Sequence, residues 1–229
     1  MRIIFVDRDG VINKDPGGWT EHSYVTDPKD FHFLPGALEG LRLLKEHGYY
    51  VVVVSNQAGV AKGYFTRSDL EMVNGKMLAE VKKNGGDILD TFYCTHRDED
   101  KCECRKPKPG LLKMASRKYR FSARETFYIG DSYVDIIAGK LMGVKTVFVL
   151  SGKHSKEEML KWQDKPDYVF DNLLGAVKWI LEKDRRKSNR ALYRKQKPRK
   201  RSDDGIEDEI PDADSGSGEE EDQSQGEVI

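Results

Sequence analysis

An apolar run near the start of the chain ends in two aspartates, Asp7 and Asp9, which Gly10 follows directly. The run Ile4-Phe5-Val6 predicts a buried strand, and residues i and i+2 of a strand point to the same face. Glycine lets the backbone turn sharply at that point. We therefore expect two carboxylates side by side at the carboxyl end of a strand, close enough to share a metal ion and a phosphate. Taken alone, the pair could also be a polar turn after an edge strand.

Short apolar strands and amphipathic helices alternate along the rest of the chain. The pattern predicts strands at 2–6, 50–54, 90–94, 126–129, 145–150 and 168–170, and helices at 36–47, 66–84, 109–119, 135–142 and 172–183. The fully apolar run at 50–54 is typical of a parallel strand that is covered on both faces. The order of elements therefore predicts an α/β fold with an open, mostly parallel sheet.

The charge of the chain is unevenly distributed, although its 229 residues carry a net charge of zero. Residues 185–201 contain ten Lys and Arg and no acid, whereas residues 203–227 contain twelve Asp and Glu and no base. We predict a folded domain over 1–184 and a charged, disordered tail over 185–229. No stretch is apolar enough to span a membrane, and no signal-peptide pattern is present, so we expect a cytoplasmic protein.

Polar segments follow four of the predicted strands. They are Asp7-Arg8-Asp9, Ser55-Asn56-Gln57, the region around Cys94, and Gly130-Asp131. Ligands of open α/β sheets bind outside the carboxyl ends of the strands, where such segments converge. The sequence therefore predicts a functional site at this edge of the sheet.

The residue types at these strand ends suit phosphate chemistry. Asp7 and Asp131 can hold Mg²⁺, a hard cation that prefers carboxylate oxygens, while Ser55 and Lys106 can bind a phosphoryl group. Asp7 can attack phosphorus and form an aspartyl-phosphate. Asp9 can protonate the leaving oxygen and then take a proton from water, if a like-charged neighbour or partial burial raises its pKa.

All three cysteines lie close together in the sequence and share the segment with a histidine. The four residues are Cys94, His96, Cys102 and Cys104. Three sulfurs and one imidazole are a common ligand set for structural Zn²⁺, which would cross-link a loop too polar to fold by burial. Such a zinc-pinned loop would position Lys106, and Arg105 beside it could read a second phosphate or sugar oxygens. The alternative is three ordinary cysteines and a surface histidine.

Four motifs in order resemble those of the haloacid dehalogenase-like phosphatases. They are Asp7-x-Asp9-Gly10, Ser55, Lys106 and Gly130-Asp131-x-x-x-Asp135, and the resemblance covers about residues 1–183. It implies a Rossmann-like three-layer sandwich, with Asp7, Asp9, Ser55 and Lys106 as catalytic residues. It also implies Mg²⁺ held by Asp7, Asp131 and the backbone carbonyl of Asp9. Asp135 would orient Lys106 or a metal-bound water.

Within that family, segments 7–13, 33–36, 55–66 and 94–110 resemble the D-glycero-D-manno-heptose 1,7-bisphosphate 7-phosphatases, with the histidinol-phosphate phosphatases as a related alternative. The resemblance implies no large cap domain, so that loops select the substrate. The substrate-binding residues it indicates are Asp15, Gly18, Asn56, Gln57 and Arg105. Two departures bear on the substrate: Ser132 stands where these enzymes often carry a lysine, and the segment 14–30 differs from the usual pattern.

Two other classes of protein are alternatives. In the first, an end phosphatase, the basic block would contact nucleic acid through its phosphates, although Tyr193 is the only interleaved aromatic residue of the block and the acidic block could shield it. A catalytically dead, zinc-stabilised interaction module would not need five polar residues at strand ends. We therefore expect a monomeric enzyme that acts on a small phosphorylated sugar, with neither a membrane nor a nucleic acid as its partner.

Overall fold

Six strands form one sheet in the computed structural model, which describes residues 1–20 and 22–196. The strands are β1 (Ile3–Val6), β2 (Tyr50–Asn56), β3 (Asp90–Cys94), β4 (Phe127–Gly130), β5 (Lys145–Val149) and β6 (Tyr168–Phe170). They lie in the order β3-β2-β1-β4-β5-β6, and every neighbouring pair is parallel. The predicted α/β fold with a parallel sheet is confirmed.

Helices connect the strands and cover both faces of the sheet. They are α1 (Ala37–Glu46), α2 (Arg67–Lys83), α3 (Gly110–Lys118), α4 (Tyr133–Met142), α5 (Lys156–Met159) and α6 (Leu173–Gln196). Thr66 caps α2, and its hydroxyl and the Asp69 carboxylate form a reciprocal capping box. The four-residue helix α5 was not predicted. Within the described chain, no helix combines the length and the apolar character needed to cross a bilayer.

Alternate residues of each central strand enter two separate hydrophobic clusters. Ile4 and Val6 of β1 pack with side chains of α1, α2 and α6 on one face. Ile3 and Phe5 pack with side chains of α3 and α4 on the other face. This period of two is the pleat of a strand that is buried on both sides, and it produces the three layers of the sandwich.

Helix α6 is longer than the sequence predicted. The predicted helix ends at 183 and a disordered tail begins at 185, but α6 continues to Gln196, so the prediction of disorder is wrong for 185–196. Ion pairs within the helix support it where the apolar periodicity stops, because Arg185 and Arg186 both bind the Glu182 carboxylate. The remainder of the predicted tail, from residue 197, lies outside the described residues.

Candidate active site

The carboxyl ends of the three central strands carry the predicted site residues. Asp7 follows β1, Ser55 lies near the end of β2, and Asp131 follows β4. All three are buried, as is Lys106, which comes from the loop between β3 and α3. Because β2, β1 and β4 are neighbours in the sheet, these side chains lie at one edge.

The ammonium group of Lys106 is the centre of this site. Its Nζ donates to Asp7 Oδ1 at 2.9 Å, to Asp135 Oδ1 at 2.6 Å and to the Val54 carbonyl at 3.1 Å. Burial alone would lower the pKa of Lys106, but the two carboxylates outweigh it and raise the pKa above its usual range. Lys106 is therefore a fixed positive charge with three acceptors.

Asp135 is held at the start of α4 by several donors. Its Oδ2 accepts from the Ser132 hydroxyl at 2.5 Å and the Ser132 N–H at 3.2 Å, and its Oδ1 accepts from the Tyr128 hydroxyl at 2.8 Å. Gly130 makes room for it, because a Cβ there would lie 2.6 Å from the Asp135 Cγ. The Ser132 hydroxyl is therefore engaged in the cap of α4, and its effect on the choice of substrate stays open to test.

Three carboxylates lie within reach of one metal ion. One oxygen from each of Asp7, Asp131 and Asp135 lies within 4.8 Å of the others. Burial raises the pKa of Asp7 to about 7 although Lys106 opposes the shift, and burial and the other two carboxylates raise the pKa of Asp131 well above its usual range. One ammonium cannot neutralise three carboxylates, so a divalent cation suits the charge of this group.

Asp131 is fixed between two glycines. A Cβ at Gly10 would lie 2.6 Å from the Asp131 Cγ, and a Cβ at Gly152 would lie 2.5 Å from it. The Lys153 N–H donates to Asp131 Oδ2 at 2.8 Å. The backbone therefore encloses this carboxylate around its Oδ2.

The carboxylate of Asp9 lies apart from this group. It accepts from the Arg8 guanidinium at 2.9–3.2 Å, from Asn13 Nδ2 at 2.9 Å and from Gln57 Nε2 at 2.8 Å. The sequence predicted Asp9 beside Asp7 and Asp131 as a metal residue, but the carboxylate that joins those two is Asp135. The role of Asp9 as a metal residue, which the resemblance places on its backbone carbonyl, stays a prediction. The sequence led us to expect a like-charged neighbour or partial burial for Asp9; its side chain is partly buried, and three donor side chains surround it.

Arg8 is a site residue that sequence reasoning missed. It is completely buried, and its guanidinium donates hydrogen bonds to both oxygens of Asp9. The sequence contained a signal for the burial of Arg8. A charged residue that lies between two site acids at a strand end points to the opposite face, toward the core. A buried cation needs a partner, and Asp9 is the neighbouring anion.

Gln57 fixes the direction of the Ser55 hydroxyl. The Nε2 of this fully buried side chain donates to Ser55 Oγ at 3.0 Å as well as to Asp9. Because Ser55 Oγ accepts this bond, its own proton is free to donate elsewhere. Gln57 was predicted to bind substrate, and the structure shows it holding Asp9 and Ser55; its Oε1 is buried without a protein partner.

Asn56 holds the segment that carries Lys106. Its Nδ2 donates to the Lys106 carbonyl and its Oδ1 accepts from the Lys106 N–H, both at 3.1 Å. The Asn56 side chain thus links the end of β2 to the loop between β3 and α3. Its predicted contact with a substrate stays a prediction.

Three further residues were predicted to bind the substrate. Arg105 forms an ion pair with Asp98, while its Nη1 is buried without a protein partner. In the loop after β1, Asp15 accepts from the Gly17 N–H at 2.7 Å, and Gly18 has a positive φ of 80°. These contacts shape the loop, and the roles of Arg105, Asp15 and Gly18 in binding stay predictions.

The structure gathers the cysteines and the histidine into one cluster. The cluster comprises Cys94, His96, Cys102 and Cys104, with sulfur–sulfur distances of 3.3–3.6 Å and His96 Nδ1 at 3.2 and 3.7 Å from two of the sulfurs. A tetrahedral ion with bonds of about 2.0–2.3 Å has ligand–ligand distances of about 3.5–3.8 Å. The ligand set and its spacing therefore fit a closed, four-coordinate metal ion.

The cysteine cluster also touches two other loops of the site. A Cβ at Gly110 would lie 2.6 Å from the Cys104 Cα, so the loop packs directly on the start of α3. Arg97, within the same loop, donates through Nε to the Ala61 carbonyl at 2.7 Å. The loop after β2 and the Lys106 segment are thus both anchored to the cluster.

Known proteins are similar in sequence to this chain over most of its length. The HAD-hydrolase-like family model matches residues 103–176. A D-glycero-beta-D-manno-heptose-1,7-bisphosphate 7-phosphatase of Neisseria meningitidis is 35% identical over 184 residues, which are 80% of this chain and 96% of that protein. A D-glycero-alpha-D-manno-heptose-1,7-bisphosphate 7-phosphatase of Photorhabdus laumondii is 32% identical, over 80% of this chain and 97% of that protein.

Solved structures are similar over the same part of the chain. The D,D-heptose 1,7-bisphosphate phosphatase from B. bronchiseptica, complexed with magnesium and phosphate, has a TM-score of 0.73 at 28% identity. The comparison covers 80% of this chain and 99% of that chain. The D,D-heptose 1,7-bisphosphate phosphatase from Burkholderia thailandensis has a TM-score of 0.59 at 27% identity, covering 79% and 99% of the two chains.

We expect Gly130→Ala to destabilise the protein by about 1–3 kcal/mol, because the new methyl group would overlap the Asp135 side chain. Urea denaturation measures the loss. Gly75→Ala, within α2 and with open space around it, is the matched control and should raise the free energy of unfolding by about 0.5–1 kcal/mol. Equal effects of the two substitutions would contradict the close contact at Gly130.

Proposed function

The chain belongs to the haloacid dehalogenase-like phosphatases, in the family of the D-glycero-D-manno-heptose-1,7-bisphosphate 7-phosphatases, and on this basis we propose that it hydrolyses the 7-phosphate of that sugar. The observation that carries the proposal is the buried Asp7–Lys106–Asp135 arrangement beside Asp131 at the carboxyl edge of the sheet. It combines a nucleophile, a phosphate-binding cation and excess negative charge for a metal ion.

Asp7 is the nucleophile in this proposal. Among the described residues, the donors to its carboxylate are the Arg8 N–H and Lys106 Nζ, and both reach Oδ1. Oδ2 therefore keeps its lone pairs for attack on phosphorus. As the new bond to phosphorus forms, the bond from phosphorus to the sugar oxygen breaks, and Asp9 gives that oxygen a proton.

Asp9 then acts as a base in the second step. Its carboxylate takes a proton from water, the water oxygen attacks phosphorus, and the bond between phosphorus and Asp7 breaks to release phosphate. The donors from Arg8, Asn13 and Gln57 hold the carboxylate in one place during this step. Asp9 ends each cycle with the proton it needs for the next.

Ser55 and Lys106 bind the phosphoryl group in this scheme. The Ser55 hydroxyl is free to donate because Gln57 already satisfies its oxygen as an acceptor. The Lys106 ammonium is held 2.9 Å from the nucleophilic carboxylate. The hydroxyl donor and the positive charge are both fixed before the substrate arrives, which reduces the reorganisation required in the transition state.

Mg²⁺ fits the carboxylate group, and Asp7, Asp131 and the backbone carbonyl of Asp9 would hold it. When bound, the ion neutralises charge between the nucleophile and the phosphate. The raised pKa values of Asp7 and Asp131 support this proposal, because burial and neighbouring carboxylates disfavour their charged forms, which a bound cation would stabilise.

Zn²⁺ fits the cysteine cluster, where it would have a structural role. Its four protein ligands leave no open position for a substrate or a water. Three sulfurs this close together would also repel one another as thiolates without a cation between them.

We propose that Arg105 binds the end of the substrate that lies away from the reacting phosphate. Its buried Nη1 has no protein partner, and it precedes Lys106 directly in the chain. A guanidinium in that place can bind a second phosphate or sugar hydroxyls.

We expect Asp7→Asn to lower the release of phosphate from heptose 1,7-bisphosphate by at least about a thousandfold, because an amide cannot replace the nucleophile. Phosphate release is measured with Mg²⁺ present, and histidinol phosphate serves as the comparison substrate, which we expect to be hydrolysed more slowly. Asp87→Asn, an exposed position before β3, is the control and should retain full activity. Substantial turnover by the Asp7 variant would rule out its role as nucleophile.

We expect Mg²⁺ to stabilise the protein more at pH 7.5 than at pH 5.5, because protons compete with the ion for carboxylates. The pKa of Asp7 is raised from its ordinary value to about 7 in the folded, metal-free protein. Its contribution to stability is therefore present at low pH and lost as the pH rises through about 7. Bound Mg²⁺ should restore it.

Thermal melts of chelator-treated protein, with and without Mg²⁺ at each pH, measure this increment. Asp131→Asn removes a proposed ligand and should abolish the increment. The same Mg²⁺ effect at both pH values, or in the variant, would exclude this binding site.

We expect about one zinc ion per chain by elemental analysis, held by the cysteine cluster. His96→Asn should lower the zinc content and the melting temperature. His47→Asn, at an exposed position after α1, is the matched control and should leave both unchanged. A fully folded wild-type protein without bound metal would refute the zinc site.

A further inference from the structure

The hydroxyl of one fully buried tyrosine lies inside the apolar layer between the sheet and helices α3 and α4. Tyr128 of β4 is 1% exposed and belongs to the same hydrophobic cluster as Ile3 and Phe5. Its ring meets the Phe5 ring edge-on, with centroids 6.3 Å apart. A phenylalanine would fill this space equally well, and a buried hydroxyl is unfavourable unless it has a partner.

The nearer partner of this hydroxyl is the carboxylate that holds Lys106, while the Val54 carbonyl lies 3.5 Å away. Tyr128 donates to Asp135 Oδ1 at 2.8 Å, and Lys106 Nζ binds the same oxygen at 2.6 Å. Ser132 holds the other oxygen of Asp135. The carboxylate is therefore held on both oxygens, and Tyr128 and Lys106 meet at the same one.

The position of Lys106 depends on that oxygen. A lysine side chain is long and flexible, so its acceptors decide where its charge lies. Asp7, Asp135 and the Val54 carbonyl are those acceptors. The Tyr128 ring also lies beneath the ammonium, with its centroid 5.9 Å from Nζ.

We propose that Tyr128 is a positioning residue that acts through Asp135 to place the Lys106 ammonium for the phosphoryl group. The proposal rests on the proposed function, in which Lys106 binds phosphate. Tyr128 does not touch the substrate, and its hydroxyl is out of reach of solvent, so water cannot replace it.

Tyr128→Phe tests this proposal because it removes one oxygen and keeps the ring. We expect the KM for the phosphorylated sugar and the dissociation constant of inorganic phosphate to rise about tenfold each, with kcat within about threefold of wild type. The phosphate constant is measured by calorimetry with Mg²⁺ present. Tyr119→Phe is the matched control: it removes a hydroxyl that donates to Asp90 at the opposite edge of the sheet, and both constants should stay unchanged.

A double-mutant cycle separates positioning from a general loss of stability. Asp135→Asn should weaken phosphate binding by itself, and adding Tyr128→Phe to it should have no further effect, because the two act through one contact. Independent, additive effects would overturn the proposal, as would an unchanged phosphate affinity in Tyr128→Phe. Calorimetry measures the binding of inorganic phosphate and needs no turnover. An inactive wild-type protein would therefore contradict the proposed function, while the binding measurement would still test the role of Tyr128.

Discussion

The buried ammonium of Lys106 is the interaction on which the site depends. Burying a charge without a partner is very unfavourable, and here one cation lies between two anions that would otherwise repel each other. The ion pairs join the end of β1, the start of α4 and the loop after β3. The ammonium group that would bind a phosphate therefore also links these three parts of the domain to one another.

Glycines shape this edge of the sheet as much as the charged side chains do. Gly10, Gly130 and Gly152 each occupy a place where a Cβ would collide with Asp131 or Asp135. The carboxylates are consequently packed against backbone, which leaves few conformations open to them. A rigid arrangement of this kind favours a transition state whose geometry hardly varies.

Much of the architecture could be predicted from the sequence, because alternating strands and helices leave few possible folds and strand ends converge at one edge. The identity of side-chain partners could not be predicted in the same way. The period-two pattern indicates that Arg8 is buried, but it does not say which oxygens the side chains of Arg8 and Tyr128 reach. The extension of α6 was missed for a related reason, since ion pairs and helix propensity can continue a helix that has no apolar stripe.

The strand order has a consequence for how the chain becomes active during synthesis. Asp7 and Asp131 lie far apart in the sequence, yet they follow neighbouring strands, β1 and β4. Their contact closes a long loop, which makes it slow to form and late in folding. A ribosome-bound chain that has not yet reached β4 contains the proposed nucleophile Asp7, Ser55 and Lys106 but neither Asp131 nor Asp135. In the proposed mechanism, catalytic competence therefore requires synthesis at least through the start of α4.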